Sequence, residues 1–365
     1  MDLGLPEKIR AIHEEMSRTQ VHKHTEHHVG LLKAKLAKLK AEQERSQSSK
    51  QGGVGFELKK GGDCTVVLIG LPSVGKSTIL NHLTNAKSRV AAYAFTTLTV
   101  VPGLLEFQGA KIQILDLPGI ISGAATGMGR GRRVLSVAKN ADLIILVLDV
   151  FHPDQVHTLI KELYEIGIRL NTRPPNVSVN RATQGGLGIT AACKLTHLTE
   201  PTIRAIMNIY KINHGGVIIR EDITDDQLID VIAGNRRYIP SITVLNKIDL
   251  VNPKYVDEVE TRIGGDMIPI SADQNSNLEE LKAAIYNSLK LIKVYLKPRN
   301  GSPDFDEPLI VTAGSTISDV CNKIHRKVAA EAKYALVSGN SVRFSPQRVG
   351  MDHIVEDRDV VTIIK

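Results

Sequence analysis

The segment Gly70-Leu-Pro-Ser-Val-Gly75-Lys76-Ser77 sets two glycines, a lysine and a hydroxyl at the spacing of a phosphate-binding loop. It follows the apolar run CTVVLIG and opens the helix-like run STILNHLT, the strand–loop–helix setting that such a loop requires. Glycines let the backbone curl until successive N–H groups converge on phosphate oxygens, and the helix amino terminus adds a favourable dipole. The backbone of Gly70, Pro72, Ser73, Val74, Gly75 and Thr78 is expected to line the phosphates. Lys76 supplies a point charge to the β and γ phosphates, and the Ser77 hydroxyl is a ligand for Mg²⁺.

Asp116-Leu-Pro-Gly119 closes a second apolar run. That placement predicts a carboxylate near the metal and the Gly119 backbone N–H near the γ phosphate. Asn246-Lys247-Ile248-Asp249 ends a third run and predicts the choice of base. A carboxylate at Asp249 accepts from guanine N1–H and the 2-amino group; adenine presents an acceptor at N1 and no 2-amino group, so a buried charge would be repelled or unpaired. Ser271-Ala272, after the next strand, is expected to brace the base edge through its backbone. Asp-x-x-Gly alone is a common turn, but four elements in this order define a guanine-nucleotide site.

These loops need strands to end on. From Cys64 onward short apolar strands alternate with helical stretches, which implies βα units on a largely parallel, doubly wound sheet over residues 56–151 and 239–290. Between them, residues 152–238 break the rhythm with the Pro/Asn/Gly-rich TRPPNVSVNRATQGGLG, and so long an interruption is an inserted α+β subdomain. The acidic run Glu221, Asp222, Asp225 and Asp226 within it reads as a helix start with its cap. Residues 1–50 form a helical section in which Val29, Leu32, Leu36 and Leu39 recur at spacings of three and four, with Ile9, Ile12 and Met16 as an earlier stripe. The two stripes predict a helical hairpin docked on a neighbour. The Ser/Gly-rich segment from Ser46 to Gly55 has the composition of a joint. Residues 291–365 predict a small α+β unit whose first turn is marked by Pro298, Gly301 and Pro303.

The chain resembles translation-factor-class GTPases, and within them the Obg and developmentally regulated GTP-binding (DRG) branch of archaeal or eukaryotic type. Tyr93-Ala-Phe-Thr96-Thr97-Leu-Thr99 is similar to that branch's first switch, and Ser122 to Arg133, SGAATGMGRGRR, to its glycine-rich second switch. The order of parts is also that of DRG proteins. The resemblance implies a P-loop GTPase domain, a ribosomal-protein-S5-like insertion and a C-terminal ubiquitin-like TGS domain. It implies slow hydrolysis of GTP to GDP with Mg²⁺, coupled to a ribosome or RNA partner, and Thr97 or its neighbour Thr96 as the switch residue reaching Mg²⁺ and the γ phosphate. Of the two, Thr97 is favoured. The position after Gly119, which in Ras-like enzymes is a water-orienting glutamine, is Ile120 here, so water positioning must come from a partner, a monovalent cation such as K⁺, or Arg130, Arg132 and Arg133. Ser73 stands where related GTPases use an asparagine to help bind potassium. An alternative reading is an RNA- or ribosome-binding adaptor for which the nucleotide is a passive structural ligand. A dedicated protein partner on the N-terminal helices or the TGS domain is a further expectation.

Composition bounds these readings. With 365 residues, 42% hydrophobic and 23% charged, the chain holds two to three folded domains. The most apolar stretch, Leu143 to Phe151, falls far short of the about 20 residues that cross a bilayer and contains Asp149. The amino terminus has no apolar core followed by a cleavage site, and Cys64, Cys193 and Cys321, odd in number and far apart, give no reading of a disulfide framework or a zinc knuckle. A cytoplasmic monomer without a membrane partner is the expectation. Lysine plus arginine exceed the acids by 46 − 39 = 7, which suits a polyanionic partner. Five histidines before residue 30, namely His13, His22, His24, His27 and His28, lack the cysteine or acid spacing of a metal site and read as exposed helix residues.

Overall fold

The structure, a computed structural model, describes residues 4–20, 22, 25–50, 61–84, 101–117, 137–264 and 267–365. They divide into two compact units, one drawn from 1–57 and 167–238, the other from 58–166 and 239–365. The chain begins with helices α1 (Leu5–Arg18) and α2 (Glu26–Lys50). Helix α1 carries proline in its first turn, and the Glu7 carboxylate accepts from the Gly4 N–H at 3.1 Å, which serves one of the donors that a helix start leaves bare.

The nucleotide-type domain follows with β1 (Cys64–Ile69), α3 (Lys76–Leu83), β2 (Val101–Phe107), β3 (Ala110–Asp116), β4 (Leu143–Asp149) and α4 (Gln155–Glu165). All residues of β1 and β4 are buried, the mark of strands covered on both faces. Helix α4 places Val156, Leu159 and Leu163 on one buried face and packs on β4. The insertion, expected from residue 152, is therefore compact only from Gly167, because the amphipathic period of α4 serves the central sheet.

Within the insertion, β5 (Ile168–Leu170), β6 (Val177–Arg181), β7 (Leu187–Ala191), α5 (Glu200–Ile209), β8 (Gly215–Ile219), α6 (Asp225–Ala233) and β9 (Arg237–Ile239) alternate. Strands β6, β8 and β7 form a sheet in that order, one of whose faces meets α5 and α6 around Val217, Ile219, Ile203, Ile206 and Leu228. Thr224 caps α6 by accepting from Gln227 N, with Asp225 and Asp226 of the acidic run in the first turn; Glu221 and Asp222 lie before the helix and instead accept from Arg173 and Asn176 N, and from Thr196, respectively. Helix α2 packs on α1, α5 and α6. Val29, Leu32 and Leu36 are buried, yet the α2 residue that enters the insertion's core is Ala34, flanked by Leu31 and Ala37. Around that seam Lys33 bridges Asp225 and Asp226, and His27 Nδ1 lies 2.9 Å from Thr202 Oγ1.

The chain then returns with β10 (Ser241–Asn246), α7 (Pro253–Ile263), β11 (Met267–Pro269) and α8 (Leu278–Ser288). The six-stranded central sheet runs β11-β10-β4-β1-β3-β2, parallel except for the β2–β3 hairpin. In its register Leu68 pairs with Asp116 and Asn246 with Asp149, so the motif-bearing strand ends fall together. The last part comprises β12 (Leu291–Leu296), β13 (Leu309–Thr312), α9 (Ile317–Ile324), α10 (Arg326–Glu331), β14 (Tyr334–Ser338), β15 (Gln347–Val349) and β16 (Val360–Ile364). Its sheet runs β13-β12-β16-β14-β15 around a core that includes Val294, Val320 and Cys321. Leu291 and Ile310 join the core of the nucleotide-type domain instead, and Lys323 pairs with Asp63 at 2.8 Å.

Candidate nucleotide-binding site

The loop between β1 and α3 holds a shape that its residues make available. Gly75 is left-handed at φ 95°, and a Cβ there would lie 2.2 Å from Asn246 Nδ2; a Cβ on Gly70 would lie 2.3 Å from the Val147 carbonyl oxygen. Any side chain at either glycine collides with backbone or with a buried amide, so both are required by space. Ser73 is also left-handed, at φ 66°. Val74 is buried, whereas Pro72 and Ser73 are exposed and Thr78 is half-buried.

Lys76 is buried at the helix start, where its Nζ donates to the carbonyl oxygens of Gly70 at 3.1 Å and Leu71 at 2.8 Å. Burial pushes its pKa down, opposed by the charge of Asp116. The Ser77 hydroxyl donates to Asp116 Oδ2 at 2.5 Å, joining the two residues expected to reach a metal. Asp116 is 7% exposed, and its Oδ1 has no hydrogen-bond partner among the described residues. Burial pushes the pKa of Asp116 up, opposed by the Ser77 hydrogen bond and the Lys76 charge. A carboxylate with a spare oxygen beside a hydroxyl is a hard oxygen donor set, which fits Mg²⁺ taken up with phosphate oxygens.

At the other end, Asn246 is a buried brace. Its Nδ2 donates to Val74 O at 2.9 Å and its Oδ1 accepts from Ala272 N at 3.1 Å, so one side chain ties the phosphate loop to the loop after β11. Ser271 Oγ accepts from Gln274 N at 3.2 Å, which holds that second loop. Lys247 is left-handed at φ 68°, and its Nζ donates to Ser73 O at 2.8 Å. Asp249 is exposed and makes no hydrogen bond or ion pair among the described residues, which leaves both of its oxygens to accept.

Ten of the expected site residues, Gly70, Ser73, Val74, Gly75, Lys76, Ser77, Asp116, Asn246, Lys247 and Ala272, thus take part in direct contacts with one another. Thr96, Thr97, Gly119, Ile120 and the stretch Ser122 to Arg133 lie outside the described residues. The motifs did not point to Asp149, a buried carboxylate whose Oδ2 lies 3.4 Å from Lys247 Nζ. Its signal was present, since an acid ending an otherwise apolar strand is an expensive choice without a partner.

A strand, a glycine loop wrapped around a buried lysine, a serine–aspartate pair and an asparagine brace together define a P-loop GTPase. The family described as "50S ribosome-binding GTPase" matches residues 65–181, that described as "C-terminal region of MMR_HSR1 domain" residues 184–291, and the TGS domain residues 292–365. An uncharacterized GTP-binding protein of Methanocaldococcus jannaschii is 51% identical, with 99% of this chain and 93% of the relative covered. Developmentally regulated GTP-binding protein 2 of Homo sapiens is 45% identical and its homolog in Dictyostelium discoideum 47%, each covered in full along with this chain. The chain belongs to the developmentally regulated GTP-binding protein family of GTPases, and its ligand is a guanine nucleotide.

Proposed function

We propose that the chain is a Mg²⁺-dependent switch that hydrolyses GTP slowly to GDP and phosphate and binds a ribosome or RNA partner differently in its two nucleotide states. The observation that carries this reading is the Ser77–Asp116 pair: a hydroxyl 2.5 Å from a buried carboxylate that has an oxygen to spare, at the mouth of a phosphate loop. Ser77 and Asp116 would hold Mg²⁺, with Thr97 completing the set from the first switch. Bound there, the ion supplies charge neutralisation on the β and γ phosphates. Lys76 exchanges two loop carbonyls for phosphate oxygens, a step favoured because burial without a full counter-ion leaves its charge under-compensated. The loop N–H groups orient the phosphates, Gly119 meets the γ phosphate, and Asp249 selects guanine.

Ile120 cannot hydrogen-bond water, so slow intrinsic turnover and an external or ionic activator belong to the same reading. Ser73, with its carbonyl taken by Lys247, retains a hydroxyl that can ligate K⁺. The net charge of +7, the family description "50S ribosome-binding GTPase" and the TGS domain support a ribosome or RNA partner in the cytoplasm, met by the S5-like insertion or the TGS domain. The test is steady-state GTP hydrolysis in potassium buffer with and without ribosomes. Stimulation that Ser77→Ala abolishes is expected. Tight guanine-nucleotide binding with no stimulation would sink the ribosome-coupled reading in favour of an adaptor with a passive nucleotide, which Ile120 also suits.

A further inference from the structure

Asp149 ends β4, is 8% exposed, and takes no part in the nucleotide motifs. Its two oxygens have different work. Oδ1 accepts from the N–H groups of Phe151 at 3.2 Å and His152 at 3.0 Å, folding the chain into a turn, with the His152 ring Nδ1 at 3.4 Å. The same turn is pinned from α7, where the Tyr255 hydroxyl donates to Val150 O at 3.2 Å. With Oδ1 committed, Oδ2 is aimed at Lys247 Nζ, 3.4 Å away, and the sheet register that pairs Asp149 with Asn246 sets this approach.

Lys247 leaves the base-reading loop in a left-handed conformation, and its ammonium ends at Ser73 O in the phosphate loop. Its methylene stem therefore spans the two loops. A nucleotide with its phosphates in the Gly70–Ser77 loop and its base edge at Asp249 must lie along that stem, which offers it an apolar flank. A free lysine side chain would sample many rotamers and lose that freedom on being fixed. Two acceptors on one ammonium remove that freedom before the nucleotide arrives.

We propose that Asp149 is a positioning residue for guanine-nucleotide binding, its carboxylate clamping the Lys247 ammonium against the Ser73 carbonyl so that the lysine stem is preformed as a wall of the nucleoside site. The gain comes from preorganisation more than from Coulomb energy, since the pair is neither short nor fully buried. The inference rests on the reading of Asn246–Asp249 as the guanine site.

The test uses the full chain and the variant Asp149→Asn, whose amide oxygen can still serve the turn while the charge facing Lys247 is gone. The dissociation constant of GDP should rise about tenfold, within the rotamer freedom that an unclamped lysine would have to give up on binding. Inorganic tripolyphosphate, which has no base, should compete as well as before. In a Lys247→Met background, adding Asp149→Asn should change GDP affinity by no more than about twofold. The proposal is overturned if GDP and tripolyphosphate weaken in parallel, if GDP affinity is unchanged, or if the cost persists without Lys247. Wild-type protein that binds tripolyphosphate but not GDP would instead overturn the guanine-site reading, and this inference with it.

Discussion

Two buried aspartates, one in each compact unit, show how differently the same side chain is treated. Asp230, in the insertion, is 5% exposed and surrounded: Arg169 reaches it with Nε at 2.6 Å and Nη2 at 2.8 Å, and Arg236 adds Nε at 2.7 Å. Asp116 is buried to a similar degree, yet one oxygen holds only the Ser77 hydroxyl and the other has no partner among the described residues. A carboxylate closed by two guanidinium groups has no capacity left and holds the fold. One that burial disfavours and a single hydroxyl partly satisfies can take a cation. An unpartnered atom alone does not mark a site. The Tyr210 hydroxyl in the insertion is also buried without a partner among the described residues, and its pKa is pushed up to about 12, mainly by burial, yet no described phosphate loop adjoins it in its unit.

The largest effect should come from the closed aspartate. Asp230→Ala strands two arginines and should cost about 3–5 kcal/mol of stability in denaturant unfolding, with GDP affinity of the folded protein unchanged. Loss of nucleotide binding in the native variant would break the comparison. Asp116→Asn should do the reverse, lowering kcat for GTP by about 10²–10³-fold while leaving nucleotide-free stability equal or higher. The pH dependence follows from the direction of the shift. Because the native pKa of Asp116 is raised above its ordinary value of 3.8, the protonated group favours the native state, a contribution complete below that value and lost as pH rises through the native pKa. Thermal unfolding across that window should therefore show wild type losing ground to Asp116→Asn as pH rises; the opposite slope would mean that Asp116 is as well satisfied as Asp230.

The smallest effect is expected at the α2 seam of the insertion. There burial pulls the pKa of Lys33 down, but Asp226 and Asp225 outweigh it and the net shift is upward. With the lysine side chain 30% exposed, Lys33→Ala should cost about 0.5–1 kcal/mol, measured by the same unfolding. A cost as large as that of Asp230→Ala would show that the seam behaves like the buried network.

The loops of the site are largely legible in the sequence because their residues sit in short windows. Gly70, Gly75, Lys76 and Ser77 lie on one turn, and the strand that precedes them and the helix that follows are written in apolar spacing. The helical N-terminal hairpin was legible for the same reason, from its stripes. The exact face of α2 was not. The large residues of the stripe carry the periodic signal, while Ala34 is the one that enters the insertion's core, because helices approach closely where side chains are small. The start of the insertion was hidden similarly, since the residues of α4 carry a helical period that does not say which core it faces.

Residue types and local spacing by themselves determined the ligand class, the order of the loops and the two glycines that the phosphate turn demands. Only the tertiary structure decided which distant groups meet: Ser77 with Asp116 across 39 positions, Lys247 with Asp149 across 98, and His27 with Thr202 across 175. Backbone preferences act over a few residues and are readable there. Contacts between remote residues depend on strand register and helix packing, which are settled by burying the whole apolar surface at once.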